Sequence, residues 1–366
     1  MCKNQTSFDK QYNLSYITRL DRIKEFIMEN PALNDYNLDL KNLSDDLNEE
    51  CIVIGILFVD SKKKPSILIN KDLQSDHYLE DCQFYIEDQH GRILLSFTDS
   101  FEKLRFYSTG MILGFVGYRN EKSVFVCSDV IFPKPMALGK HKSKANNSKI
   151  LLMSNIALND NNFEKVRMAI DYFSDTVNEI IIFGNIFTDK KNTFPNIEDF
   201  NQFLSSEYPK VHLVPNLNDP SSKMIPIEPL HKMLFKNGAR NLDLLPHPAK
   251  VDLSGTSIIL MNNYIIEDLM KYTTQTISQL EVMKELLKIR YLAPNSPDTI
   301  ASVPFFKEDP LIIDSCDYFI VGGTSKFEYE TYRDVSLLTI PNFKVTQSVV
   351  VLDMATGQSE EIFFKL

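Results

Sequence analysis

VHLVPNLNDPSSKMIPIEPLHKMLF (211–235) sets the terms on which the rest of the chain is read. It opens as an apolar strand, Val211 to Val214. It breaks at Pro215 into the polar loop Asn216-Leu217-Asn218-Asp219-Pro220, then runs through Pro226 and Pro229 to a lone His231. A strand that ends in an Asn/Asp loop is where an α/β fold places a ligand or a metal. The same grammar recurs on both sides. Continuous apolar runs of the doubly covered type end in a small polar step at ILLMSN (to Asn155), EIIIFGN (to Asn185), SIILMNN (to Asn263) and DYFIVGG (to Gly323). Helical spacing fills the intervals at Phe163 to Phe173 and at Thr276 to Leu292. The latter carries Ile277, Leu280, Met283 and Leu287 behind a Thr276-x-x-Gln279 capping box. SLLTIP, SVVVLDM and EEIFFKL return the chain to β structure, the last two parted by an Ala355-Thr356-Gly357-Gln358 turn. The pattern is a layered α/β domain whose five polar strand ends can converge on one edge.

Upstream the period changes. CIVIGILFV, SILI, CQFYIED, RILLSF, GMILGFVGY and SVFVCSDVIF, from Cys51 to Phe132, are short, β-branched or aromatic, and separated by turn residues. Asp88-Gln89-His90-Gly91 and Arg119-Asn120-Glu121-Lys122 have hairpin chemistry. Gly110, Gly114 and Gly117 can relieve sharp bends, so a small closed barrel of the oligonucleotide/oligosaccharide-binding (OB) type is the economical reading. Its aromatics, Phe84, Tyr85, Phe97, Phe101, Phe106, Tyr107 and Phe115, are either a base-stacking platform or core. Before the barrel, the first 50 residues read as mainly helical, with Leu14, Ile17, Leu20 or Ile23, and Ile27 in register and Asn30-Pro31 as a stop. An acidic, solvated stretch follows from Asp35 to Glu50. After the barrel, KPMALGKHKSKANNSK (134–149) is a polar tether whose Lys134, Lys140, Lys142, Lys144 and Lys149 form at most a weak phosphate-attracting patch. The expected division is 1–50 helical, 51–135 barrel, 136–148 linker and 149–366 layered domain.

The 366 residues suit two domains, and 43% hydrophobic residues suffice to fill their cores. Without an 18-residue apolar run or a hydrophobic leader at MCKNQTSFDKQYN, the expectation is a soluble intracellular protein. Cys2, Cys51, Cys82, Cys127 and Cys316 form no CxxC pair, so reduced thiols are expected. A net charge of −10 argues against a large nucleic-acid footprint.

A two-metal phosphoesterase needs Asp, His and Asn at such strand ends, because hard divalent ions take carboxylate oxygens and imidazoles. The chain offers Ser154 and Asn155, Gly184 and Asn185, Asn216, Asn218 and Asp219, and Gly322, Gly323, Thr324 and Ser325. One carboxylate among neutral amides and hydroxyls cannot offset two metal charges. Of six histidines, His77 and His90 fall in the barrel, His141 in the tether and His212 inside a strand. Only His231 and His247 lie near candidate loops, where prolines suggest a packing role. No GxSxG, HExxH, P-loop or GxGxxG is present. Cys316, beside Asp314 and Asp317, is a poor nucleophile. No catalytic residue, metal ligand or cofactor is expected.

Several segments then carry a specific resemblance: PNLNDPSSKMIPIEPLHKMLF (215–235), RYLAPNSPDTIASVPFFKEDPLII (290–313), TIPNFKVTQSVVVLDM (339–354), ECIVIGILFVDSKKKPSIL (50–68) and QYNLSYITRL (11–20). In this order they resemble the B-subunit family of the DNA polymerases alpha, delta and epsilon, and its delta members in particular. The resemblance implies an OB barrel packed on a calcineurin-like phosphodiesterase domain, a layered β-sandwich flanked by helices that is catalytically inactive. Active relatives would carry D-x-H, G-D, G-N-H-D/E and G-H-x-H motifs. Here the degenerate positions are Ser154, Asn155, Gly184, Asn185, Asn216, Asn218, Asp219, Gly323 and Thr324. It also implies a nuclear scaffold for replication and repair. Such a scaffold holds the catalytic subunit of polymerase delta and the third regulatory subunit, with little or no direct DNA contact and no membrane association. Service to polymerase zeta is left open. An active metal-dependent exonuclease and a free-standing single-strand-binding OB protein are the alternatives.

Overall fold

The computed structural model describes residues 13–65, 76–98, 102–136, 148–158, 162–187, 198, 200–201, 209–235, 241–273, 275–304 and 308–364. Its helices are α1 (Asn13–Met28), α2 (Phe163–Phe173), α3 (Tyr264–Leu269), α4 (Gln279–Ile289) and α5 (Phe343–Thr346). Two compact units emerge, one of Met1–Met136 with Ile265–Asp314, the other of Ala137–Tyr264 with Ser315–Leu366.

In the first unit β1 (Leu40–Lys41) lies parallel to β2 (Cys51–Asp60). Strands β2, β3 (Gln83–Glu87), β4 (Arg92–Phe97), β6 (Val124–Ile131) and β5 (Ile112–Arg119) then close back onto β2. Every pairing in that ring is antiparallel except β4–β6. This is the five-stranded Greek-key closure of an OB barrel. Among its aromatics Phe106 and Phe115 are fully buried. Phe84, Phe97 and Tyr107 pack on one another with ring centroids 5.3–5.7 Å apart, while Phe101 lies outside the described residues. Both expected hairpin turns form. Asp88 accepts the N–H groups of His90 and Gly91, and Asn120 those of Lys122 and Val124.

Segment Ile265–Asp314 belongs to this barrel unit. That differs from the unbroken 149–366 domain expected from sequence, and buried polar bonding supplies the reason. Arg19 on α1 is 1% exposed. Its Nη2 donates to Ser296 O (3.0 Å), and its guanidinium lies 3.7 Å from Asp309 Oδ2 and 4.2 Å above the Tyr291 ring. The Tyr291 hydroxyl donates to the same Asp309 oxygen at 2.7 Å. In a second knot Asp298 accepts from Lys64 Nζ (2.7 Å) and the Tyr272 hydroxyl (3.2 Å). Asp268 accepts from Asn295 Nδ2 (2.7 Å), from the Tyr78 hydroxyl (3.1 Å) and from Thr299 Oγ1. Barrel and segment touch so closely that a Cβ on Gly110 (φ +90) would sit 2.0 Å from Pro294 O.

The second unit stacks two sheets. One runs β10 (Leu242–Leu244), β9 (Lys210–Val214), β8 (Glu179–Phe183), β7 (Lys149–Ser154), β16 (Ser348–Asp353), β17 (Ser359–Phe363). Strands β7 to β10 are parallel, and β16 and β17 antiparallel. The other runs β11 (Ala249–Leu253), β12 (Thr256–Asn262), β13 (Tyr318–Thr324), β15 (Val335–Pro341), β14 (Glu328–Tyr332). Alternate residues of the first sheet, Ile150, Leu152, Ile181 and Val214, pack with Leu260, Ile320 and Leu338 of the second. The intervening residues, Leu151, Ile180, Ile182 and Leu213, meet Val166, Ala169, Ile170 and Phe173 of α2 on the outer face. Both faces are covered, which is why these strands read as unbroken apolar runs.

Three local expectations are corrected. Leu14 is 39% exposed, and the buried face of α1 passes instead through Arg19, Leu20, Ile23, Phe26 and Ile27. Beyond a 3-10 turn at Pro31–Asp35 the first 50 residues are not helical. The Asp45 and Asp46 carboxylates accept the N–H groups of Asn42 and Asn48, and such local bonds compete with a helix. The capping box of α4 is Ser278 and Glu281 rather than Thr276 and Gln279. Glutamate adds a charge favoured at a helix N-terminus, and the register leaves Ile277 and Val282, both buried, at the staple positions. Of the tether lysines, Lys140, Lys142 and Lys144 lie outside the described residues, while Lys134 pairs with Glu29 at 3.5 Å.

Removing the Arg19 charge while keeping the side-chain length, Arg19→Met, leaves Asp309 buried with one cation fewer. The expected cost is about 3 kcal/mol, read as a lower urea midpoint. Arg19→Lys should recover only part of it, because one ammonium cannot serve Ser296, Asp309 and the Tyr291 ring together.

Candidate functional site

Parallel register makes the edge. Ser154 pairs with Phe183 and Phe183 with Val214. Asn155, Gly184-Asn185 and Pro215-Asn216 therefore leave adjacent strands at one level. Only glycine fits at 184, since a Cβ there would stand 2.2 Å from Asn216 Cβ. Asn155 (φ +49), Asn185 (φ +54) and Ala157 (φ +48) are left-handed, so the chain turns sharply as each strand ends. Asparagine tolerates that region better than most residues.

Asp219 closes the group. It is fully buried. Its Oδ2 accepts the N–H groups of Asn185 (2.8 Å) and Asn216 (2.9 Å), and its Oδ1 those of Ile186 (2.7 Å) and Phe187 (3.0 Å). Burial pushes this carboxyl up from the usual carboxylate range, and the four N–H bonds pull against that. Those four donors occupy the lone pairs a metal would need. From outside, the Lys223 ammonium donates to the carbonyls of Leu217 and Asp219, the latter at 2.7 Å.

Around this centre the groups are neutral. Asn185 Nδ2 donates to Asn155 Oδ1 at 3.2 Å. Ser154 Oγ donates to Pro341 O (2.7 Å) and accepts from Gly323 N–H (3.0 Å), which ties the end of β7 to the second sheet. Gly323 is left-handed at φ +90, and a Cβ on it would lie 3.2 Å from Asn155 Nδ2. The fold thus assembles Ser154, Asn155, Gly184, Asn185, Asn216, Asp219 and Gly323. Asn218 is exposed, and Thr324 donates to Lys326 O at 2.9 Å. Among the described residues no three His, Cys, Asp or Glu side chains come together as a metal could use them.

Two features escape the sequence. Lys223 gives no signal in a Ser-Ser-Lys-Met run. His247 is fully buried, accepts the Asn262 N–H at Nε2 (2.8 Å) and faces the Tyr264 hydroxyl through Nδ1 (3.2 Å). With Nε2 accepting, the proton sits on Nδ1. Asn262 in turn donates to Pro215 O (2.9 Å), at the root of the Asp219 loop. Prolines 246 and 248 mark His247 as packed, but not what it bonds. His231 is exposed, its Nδ1 facing Met233 N–H at 3.3 Å. Cys316 is raised chiefly by burial, with Asp317 a smaller cause.

Burial holds the His247 imidazole down at about 3. An unfolded histidine titrates near pH 6.5. As pH falls from about 6.5 toward 3 the unfolded chain gains a proton that the folded chain refuses, so stability is complete above that window and declines within it. The loss is on the order of 4 kcal/mol by the bottom of the window. His247→Gln keeps an acceptor for Asn262 and removes the titration. It should flatten the dependence of the urea midpoint on pH between 6.5 and 4 relative to the unsubstituted protein.

Comparison with known proteins bears on this geometry. Residues 150–329 match the family model of the DNA polymerase alpha/epsilon B subunit, and residues 11–130 match that of the DNA polymerase delta subunit OB-fold domain. The DNA polymerase delta small subunit of Saccharomyces cerevisiae is 22% identical, the alignment taking in 99% of this chain and 91% of that protein. The Arabidopsis thaliana protein of the same name is also 22% identical, over 97% of this chain and 91% of its own. Among solved structures, an archaeal phosphodiesterase aligns over 59% of this chain and 99% of its own, at 15% identity and TM-score 0.35. Barrel closure, two-sheet sandwich and both family models agree in chain order: this chain belongs to the B-subunit family of the replicative DNA polymerases, and its barrel is the OB-fold domain of the delta branch.

Proposed function

We propose that the chain is a non-catalytic accessory subunit of DNA polymerase delta, a nuclear scaffold that holds the catalytic subunit and the third regulatory subunit in one assembly. The observation that carries this reading is the bonding of Asp219. It is the one carboxylate among the degenerate phosphodiesterase positions Ser154, Asn155, Gly184, Asn185, Asn216, Asn218, Asp219, Gly323 and Thr324. Its two oxygens bind four backbone N–H groups. Two divalent cations at this edge would meet amides and hydroxyls, which are weak ligands without anionic oxygens beside them. Membership of the family supports the polymerase assignment. The acidic balance of the chain, net −10, supports a role through protein contacts over one on a phosphate backbone.

Two measurements test it. The purified chain with millimolar manganese should release no product from a phosphodiester substrate; turnover that disappears in Asp219→Ala would overturn the reading. Co-expressed with the catalytic chain of the same organism's polymerase delta, it should co-purify in stoichiometric amount. Asp219→Ala should act on stability instead. Four buried N–H groups lose their acceptor, at about 1–3 kcal/mol for each that water cannot reach, so the soluble yield and the urea midpoint should both fall. Asp219→Asn keeps one acceptor oxygen and should fall less.

A further inference from the structure

Strand β17 is the last strand of its sheet and pairs only with β16 among the described residues. Its ladder is anchored by Phe364 N–H donating to Gln347 O at 2.8 Å. Antiparallel bonding alternates, so the main-chain groups of Ile362 and Glu360 face β16, and the N–H and C=O groups of Glu361 and Phe363 face outward. Sheet edges of this kind are usually short, twisted away or apolar-poor, because they invite another strand. This edge carries exposed aromatics on both faces. On the outer face Tyr172 of α2 is 70% exposed and stands 6.0 Å from the Phe364 ring. On the other face Phe363 is 55% exposed. Between them lie Glu360, which is exposed, and Glu361, which accepts from Ser348 Oγ at 2.6 Å. Among the described residues neither carboxylate forms an ion pair.

The geometry points to β17 as a docking edge for an extended, basic strand of a different polypeptide, which adds to the six-stranded sheet by main-chain hydrogen bonds. Charge selects the occupant. A second copy pairing antiparallel about Glu361 would set Glu361 against Glu361, and like charges directly opposite are unfavourable. A strand in which Lys or Arg alternates with apolar residues sets its cations on the outer face, beside Glu360 and the Tyr172 ring, and its apolar side chains on the other face, over Phe363. Main-chain bonding gives such complexes their affinity, and alternate side chains their specificity. The inference stands apart from the polymerase assignment, since it concerns an edge and not the strand-end site.

The probe is a fluorescein-labelled nine-residue peptide of alternating Lys and Val, titrated into the full chain by anisotropy at moderate salt. Three controls accompany it: the Glu/Val counterpart, and a Lys/Val peptide of equal charge with Pro at its two central Val positions, each against wild type, and the variant Phe363→Pro. That variant removes an outward N–H and an exposed ring and leaves the β16 ladder bonded, and an unchanged melting temperature establishes its fold. The expected result is binding by the Lys/Val peptide alone, weakened at least tenfold by Pro in the peptide and by Phe363→Pro in the protein. Equal binding of the proline peptide would reduce the effect to bulk charge and overturn the proposal. Equal binding by Phe363→Pro would place the site elsewhere and overturn it as well. Self-association of the wild type that Phe363→Pro abolishes would make a second copy the occupant and overturn the choice made here.

Discussion

Four N–H groups converge on one carboxylate, and the strand-end edge of the second unit is built around that fact. Strands that stop together leave main-chain donors with no ladder partner, and in a covered sheet water cannot reach them. Asp219 takes the donors of Asn185, Ile186, Phe187 and Asn216 at once. It thereby fixes the exit of β8 against the exit of β9. Around it the turns are held in the left-handed region at Asn155 and Asn185, a conformation that persists only where neighbouring bonds determine it. The Asn185–Asn155 amide contact and the Ser154–Gly323 bond supply that determination. Anionic groups in place of these two amides would each need a counter-ion. The amides need none.

The barrel unit solves a related problem by different means. Its polar groups are charged: Arg19 and Asp309 are buried, and Lys64 and Asp298 partly so. Buried pairs of this kind add little net stability compared with apolar residues of equal size, but removing one partner is expensive. They therefore specify an arrangement more than they strengthen it. The arrangement specified here is the seating of residues 292–299, LAPNSPDT, on α1 and the barrel. That run lies within 290–313, one of the segments that carry the family resemblance. Its content is structural, with Asn295, Asp298 and Thr299 each bonded inside the unit.

Much of this was legible. The ends of β7, β8 and β9 before Asn155, Asn185 and Asn216 follow from apolar runs stopping at small polar residues, β13 runs one residue past the expected Gly323, and α2 matches its apolar period residue for residue. What was not legible depends on distance along the chain. Arg19 in an amphipathic helix reads as a surface residue; its partners lie more than 270 residues away. The same separation hides the membership of Ile265–Asp314 in the barrel unit. The sequence pattern reads β12 and β13 as strands of the layered domain but is silent on where the residues between them fold, because a local period carries no information about which core a helix joins. The capping box of α4 failed for a milder reason, since two overlapping candidates both fit the motif and only the staple separates them.

On the function proposed above, Asp219 shows how a strand-end site can keep one carboxylate for a structural reason. A carboxylate at the end of a strand can bind a cation, or it can bind backbone N–H groups, and both demand a negative oxygen in the same place. With Ser154, Asn155 and Asn185 as its neighbours, the first use lacks further anionic ligands and the second needs none. Replacing Asp219 would strand four donors, whereas the Asn185 and Asn155 amides bond to one another. On this argument the residue most reminiscent of catalysis is the one whose present role is most plainly structural. Its position in the Asn216–Asp219 turn, with Lys223 on the outward carbonyls, is the one an architectural anion requires.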